Sequence, residues 1–121
     1  MDLKVKLQNG TVRWIKDLKV GDYVYCSDGK TYPVKSIITF SCEAFTIILS
    51  NFKKYTIPST CKMQTDHGMV FPEQGYKVLG IKNITPFVYD VRKELLNHLF
   101  YDILIDVPMV STEGFVFKTG V

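Results

Sequence analysis

The stretch from Asn9 to Tyr25 constrains this chain more than any other, because it must change direction three times in a short span. Asn9-Gly10 sits between apolar-alternating flanks, with Leu3, Val5 and Leu7 before it and Val12 and Trp14 after it. A type I′ turn needs positive φ at both central residues, which Asn and Gly tolerate, so the segment reads as a tight hairpin. Ile15-Lys16-Asp17-Leu18 places a polar pair between two apolar residues, enough for one helical turn packed inward. Val20-Gly21-Asp22 is a second corner, with Gly able to take φ > 0 and Asp able to bond the following backbone. Tyr23-Val24-Tyr25 resumes in residues that favour strands.

The same rhythm continues downstream. Tyr23 to Cys26 reads as a strand turned around by Ser27-Asp28-Gly29-Lys30, and Tyr32 to Phe40 as a β-branched strand. Ala44 to Leu49 is apolar on both faces, and Asn51-Phe52-Lys53-Lys54 turns it into Tyr55 to Ile57. Pro58 cannot donate to a ladder, so it ends that strand or lies on an edge. Ser59 to Asp66 is polar and ambiguous, and His67 to Phe71 is a turn into a short strand closed by Pro72. Glu73-Gln74-Gly75-Tyr76 is a turn, with strands expected over Tyr76 to Ile81 and Thr85 to Val91. Arg92 to Leu99 carries Leu95, Leu96 and Leu99 at helical spacing and predicts a short helix. Phe100 to Val107 and Gly114 to Lys118 complete the strands, and Gly120 suggests one more turn. Many short strands with at most one short helix make an all-β chain, without repeats, low-complexity tracts or a linker.

Length and composition narrow the classes. At 121 residues the chain is read as a single domain spanning 1–121, and 46% hydrophobic residues suffice for a core. The net charge of +3 does not by itself argue for an acidic partner. No apolar run reaches the roughly 18 residues of a membrane span, and no basic-then-apolar leader opens the chain. Three cysteines, Cys26, Cys42 and Cys61, are an odd number without metal-ligand spacing, so a reduced, intracellular (cytoplasmic) protein is expected, with no metal and no cofactor.

Two segments carry a family resemblance. Ile15-Lys16-Asp17-Leu18-Lys19-Val20-Gly21-Asp22-Tyr23-Val24 resembles the "Ile-x-Asp-Leu-x-x-Gly-Asp-x-Val" of the Hint fold, shared by inteins and hedgehog autoprocessing domains. Tyr101-Asp102-Ile103-Leu104-Ile105 and Ser111-Thr112-Glu113-Gly114-Phe115-Val116-Phe117-Lys118-Thr119-Gly120-Val121 resemble intein C-terminal regions, "Tyr-Asp-Ile-x-Val … Thr-His-x-Phe-Val-x-x-Gly-Val-x-x-His-Asn". The order and separation match a mini-intein, and about half the chain is covered. The resemblance implies a horseshoe of short strands that brings the two chain ends together near the His67 loop.

It also implies a chemistry against which the residues can be held. Protein splicing begins with a Cys or Ser attacking the preceding carbonyl. Counting back from Asn9-Gly10 places that nucleophile at Met1 or shortly before it, and a thioether cannot attack. The family places Thr-x-x-His in a central loop, where an imidazole titrating near neutrality can protonate the scissile nitrogen. Thr65-Asp66-His67 supplies the candidates Thr65 and His67, with one intervening residue fewer. The family's last step cyclises a terminal Asn, whereas this chain stops at Val121 and has Glu113 where the pattern often has His.

The expected function is therefore an intein-like domain, splicing-incompetent as written, serving as a structural or interaction module in a larger assembly. Its partner would be a protein at the two chain ends. The alternative is a trimmed or engineered active intein that excises itself from a host protein. A small nucleic-acid-binding β-barrel ranks last. His98 reads as a surface or satisfied core histidine on the expected helix, and Cys61 as a buried thiol close to the His67 loop. Asp22 and Asp102 read as turn or backbone-bonding residues. Trp14, Tyr23 and Tyr25 resemble a base-stacking platform, but core packing explains them more simply.

Overall fold

The computed structural model describes residues 3–79, 85–112 and 114–118. Thirteen short strands are described: β1 (Lys4–Lys6), β2 (Val12–Trp14), β3 (Tyr23–Tyr25), β4 (Thr31–Pro33), β5 (Ser36–Cys42), β6 (Ala44–Leu49), β7 (Lys54–Pro58), β8 (Lys62–Thr65), β9 (Gly68–Val70), β10 (Val88–Lys93), β11 (His98–Leu104), β12 (Met109–Val110) and β13 (Val116–Lys118). The expected helical corner is a single 3-10 turn over Ile15–Asp17, with Ile15 buried beneath it. The expectations at Glu113 and Gly120, and the last two residues of Tyr76 to Ile81, lie outside the described residues. Among the described residues no helix is long and apolar enough to cross a membrane.

All named pairs are antiparallel. The hairpin β1–β2 closes through Asn9-Gly10, where Gly10 takes φ +86° and Asn9 Oδ1 accepts from Thr11 N at 2.9 Å. β5 runs through Glu43 into β6, and β10 runs through residues 94–97 into β11. β5 pairs with β11 and β6 with β10, so the two connected strands form one long bent ribbon. β7 lies on the outer edge of β6 and ends at Pro58, where the missing N–H costs no ladder bond. The four-stranded sheet has the order β12-β13-β8-β9.

Three expectations are corrected. The helix over Arg92 to Leu99 does not form: Arg92 and Lys93 end β10, and His98 and Leu99 begin β11. Leu95 is fully exposed and Leu96 is 77% exposed at the tip between them, so these leucines have no buried face to support a helix. The strand over Tyr32 to Phe40 is broken at Val34 and Lys35, because the chain changes partner there. Val34 N donates to Asp22 O, beside β3, whereas Lys35 N donates to Leu104 O, at the end of β11. Finally, Trp14 and Tyr23 are 40% and 42% exposed and stand outside the core. Their alternation partners Val5 and Val24 take the inward positions instead.

The core gathers one apolar residue from nearly every element: Leu3, Val5, Ile15, Val24, Ile47, Ile57, Met63, Val88, Ile103 and Phe117 are among its members. Each fully buried aliphatic side chain contributes roughly 1.5–3 kcal/mol. Tyr55 packs edge-on against Phe115 and Phe117, with ring centroids 5.9 and 6.2 Å away. That contact ties the C-terminal strand to the β6–β7 sheet.

Candidate functional site

The ambiguous polar run Ser59 to Asp66 becomes β8, an interior strand of the four-stranded sheet. Its alternation sets Cys61, Met63 and Thr65 inward and leaves Lys62 and Gln64 partly exposed. At its far end, Thr65-Asp66-His67-Gly68 is a two-residue hairpin turn into β9, with Thr65 paired to Gly68 and Gly68 at φ +94°.

The two sequence-predicted residues meet at this turn. Thr65 is buried, its Oγ1 donating to Gly68 O at 3.0 Å and accepting from His67 N at 3.0 Å. The hydroxyl's one donor and one of its two acceptor positions are thus spent on holding the turn. The exposed His67 ring stacks on Tyr76, with centroids 3.8 Å apart, and Nδ1 lies 3.0 Å from Asp66 Oδ1. Asp66 N donates to Lys77 O at 3.0 Å, and Lys77 N donates to Asp66 Oδ1 at 3.0 Å. Desolvation raises the Asp66 carboxyl, but the bonds from Lys77 N and His67 outweigh it and hold it below its usual value.

The C-terminal strand arrives at the other end of β8. Lys118 pairs with Lys62 and Phe117 with Met63. Lys62 is three residues from Thr65, or ~10 Å along a strand. The N-terminal strand adjoins the same sheet, since Val5 bridges Ser111 and Thr112 N donates to Lys4 O at 2.9 Å. The terminal strands thus flank one sheet, but the last described C-terminal pair falls beside Cys61 and Lys62 rather than at the His67 turn.

What stands there was missed in the sequence. Ser59-Thr60-Cys61-Lys62 has a hydroxyl three residues ahead of a cation, which is the family's Thr-x-x-His spacing with Lys in the imidazole's place. Cys61 is buried, and its N–H donates to Pro58 O at 3.0 Å. Burial, reinforced by the Asp102 carboxylate, pushes the Cys61 thiol up to about 12. Asp102 is buried on β11, with Oδ1 accepting from Ile103 N at 2.7 Å. The backbone-bonding expectation for Asp102 thus has a partner, and Asp22 caps its own turn by accepting from Lys19 N at 2.9 Å. The Lys62 ammonium lies over the Phe71 ring, 5.4 Å from its centroid.

His98, the second of the chain's two histidines, pairs with Cys42 at the start of β11 and stacks on Phe100. Neither histidine therefore stands beside Cys61, Asp102 and the C-terminal strand. Among the described residues no group of His, Cys, Asp and Glu is arranged to hold a metal, and no disulfide joins the three cysteines.

No protein-family model matches the sequence, and no curated protein is significantly similar to it. Solved structures are similar across almost the whole chain. The gp41-1 intein superposes with a TM-score of 0.80 at 16% identity, covering 95% of this chain and 93% of that one. A DnaB intein from Synechocystis sp. PCC 6803 gives 0.80 at 11% identity, covering 99% and 96%. The Ssp DnaB mini-intein variant M86 gives 0.80 at 11% identity, covering 99% and 93%. The chain has the Hint/intein fold, all-β as its sequence implies.

Proposed function

On this Hint/intein scaffold, we propose that the chain is an intein-like domain that does not splice in this form and serves as a structural or interaction module joined to a protein partner at its ends. One observation carries the reading: where the C-terminal strand meets β8, the side chains on offer are a buried thiol pushed up to about 12 and an ammonium lying over Phe71. Splicing needs a group there that gives and takes a proton near neutral pH. A thiol at about 12 stays protonated at that pH, and the side chain beside it is a lysine rather than an imidazole. The two histidines that have the right chemistry lie elsewhere, His67 on the β8–β9 turn and His98 on β11. Thr65, the other sequence candidate, acts in this reading as the clasp of its turn.

The test places the chain between two reporter proteins, with Cys before Met1 and His-Asn after Val121. The unaltered core is expected to give neither ligated reporters nor cleaved fragments on a denaturing gel. A ligated product from that core would establish the rival reading, a trimmed but working intein. Adding Lys62→His to the same fusion asks whether the spacing alone restores the chemistry, and cleavage gained only then would locate the lost function at that position.

A further inference from the structure

The face that carries Trp14 and Tyr23 outward sets cations against exposed rings. On β1, Lys4 and Lys6 point to solvent between the buried Leu3, Val5 and Leu7. Lys4 pairs with Trp14 and Lys6 with Val12, so these four side chains share one face. Leu7 bridges Val24, which continues the face onto β3 and adds Tyr23 and Tyr25. Lys4 Nζ lies 4.8 Å from the Trp14 ring centroid and Lys6 Nζ 5.9 Å from that of Tyr25. Cation and ring thus alternate across three strands, at ~7 Å steps along β1.

Among the described residues neither Lys4 nor Lys6 makes an ion pair. Asp28, on the turn after β3, is committed to the Tyr32 hydroxyl and to Lys30 N. Beside the face opens a cleft of about 660 Å³ lined by Lys6, Gly10, Tyr25, Gly29, Ser111 and Thr112. The glycine turns leave its walls low, and Val12 and Val110 add apolar lining. The volume is within the roughly 300–1,000 Å³ range of ligand pockets, enough for a nucleobase and its sugar.

We propose that this face binds single-stranded nucleic acid, the phosphates lying along Lys4 and Lys6 and one base entering the cleft against Tyr25. Stacking on exposed rings with cations along the backbone is the recognition chemistry of unpaired strands. An acidic peptide would satisfy the lysines but leave the Trp14 and Tyr23 rings in water. The face is only three short strands wide, which suits one strand rather than a duplex.

Trp14 is the chain's only tryptophan, so it reports directly on its own site. Titration of the full chain with oligothymidylate of roughly a dozen nucleotides, within the ~4–16 span of such sites, should quench its fluorescence saturably. With two phosphates neutralised, affinity should fall about sevenfold from ~50 to ~200 mM salt. The Lys4→Gln/Lys6→Gln double variant should bind at least about fivefold more weakly and show little salt dependence. Both side chains are exposed, and an unchanged melting temperature will separate lost contact from lost fold. The proposal is overturned if no saturable quench appears by ~1 mM nucleotide, above the ~10⁻⁴ to 10⁻⁶ M of ordinary non-specific binding. It is equally overturned if polyglutamate displaces the oligonucleotide at matched charge, since the face would then be an acidic-peptide site.

Discussion

The Cys61 thiol offers a direct measure of whether the centre of the sheet can support nucleophilic chemistry. Burial and the Asp102 carboxylate place its pKa at about 12, against 9.0 for an ordinary thiol. At pH 8 an ordinary thiol is about 9% thiolate, whereas one at about 12 is ~0.01% thiolate. Because only the thiolate attacks, intrinsic reactivity should fall by about 10³. Global unfolding offers no faster route, since at ~5 kcal/mol of stability only about 2 × 10⁻⁴ of molecules are open. Cys26 is pushed up to about 12 as well, by burial and then by Asp28 and Asp106. Cys42 is only partly buried. A chromogenic disulfide reagent at pH 8 should therefore release about one equivalent quickly, and the remaining two about 10³ more slowly. Peptide mapping should find the fast label on Cys42. Asp102→Asn removes the second cause of the Cys61 shift and should speed that site alone. Cys61 labelled as fast as Cys42 in the folded protein would refute the argument, and with it the reason for calling the site silent.

Four further outcomes follow from the same geometry. The two raised thiols favour the protonated folded state, so their stabilisation is intact below about pH 9 and is lost as the pH climbs towards 12. By pH 10 that loss is roughly 1.4 kcal/mol per thiol, and denaturant midpoints of wild type against Cys26→Ala/Cys61→Ala, compared at pH 8 and 10, should isolate it. Gly68→Ala meets no neighbour within 4 Å but must hold φ +94°, so it should cost about 1–2 kcal/mol in thermal melts and loosen the His67 turn. Ile47→Ala, at a fully buried position, should cost roughly 2–5 kcal/mol in urea titration, whereas Leu95→Ala, on a fully exposed one, should stay within about 0.5 kcal/mol. Thr65→Val keeps the shape but removes the hydroxyl that bonds both Gly68 O and His67 N, and should cost about 1–3 kcal/mol.

Local chemistry was legible wherever a turn dictated it. Asn9-Gly10, Gly21-Asp22 and Asp28-Gly29 announce themselves because few residues accept the backbone those corners need, and Gly10, Gly21 and Gly29 do take positive φ. The period-two alternation around Val5 read β1 correctly for the same reason: one face is wet and one dry. Partners were not legible. No local signal tells Lys35 to leave β3 and join Leu104, and that exchange breaks what reads as one strand. The leucines of residues 95–99 follow helical spacing by coincidence, and their flanks are claimed instead by β6 and β5 through long-range pairing. At the site, Thr65 and His67 were found by residue type. The register that carries Lys118 to Lys62 was invisible, and with it the significance of Cys61.

The bent ribbon has a temporal meaning as well as a spatial one. Ser36 pairs with Leu104, Cys42 with His98, and Val5 bridges Ser111. A ribosome emitting this chain releases β5 long before its partner β11, so the early hairpins β1–β2, β3–β4 and β6–β7 can close while the ribbon cannot. Loops of that length are costly to close before any contact rewards them, which places such topologies among the slow folders. The unpaired edges of β5 and β6 stay open meanwhile, and they are the surfaces on which two nascent copies would stick. Closure of the ribbon is therefore gated by the arrival of β10 and β11 rather than by anything in the first half of the chain.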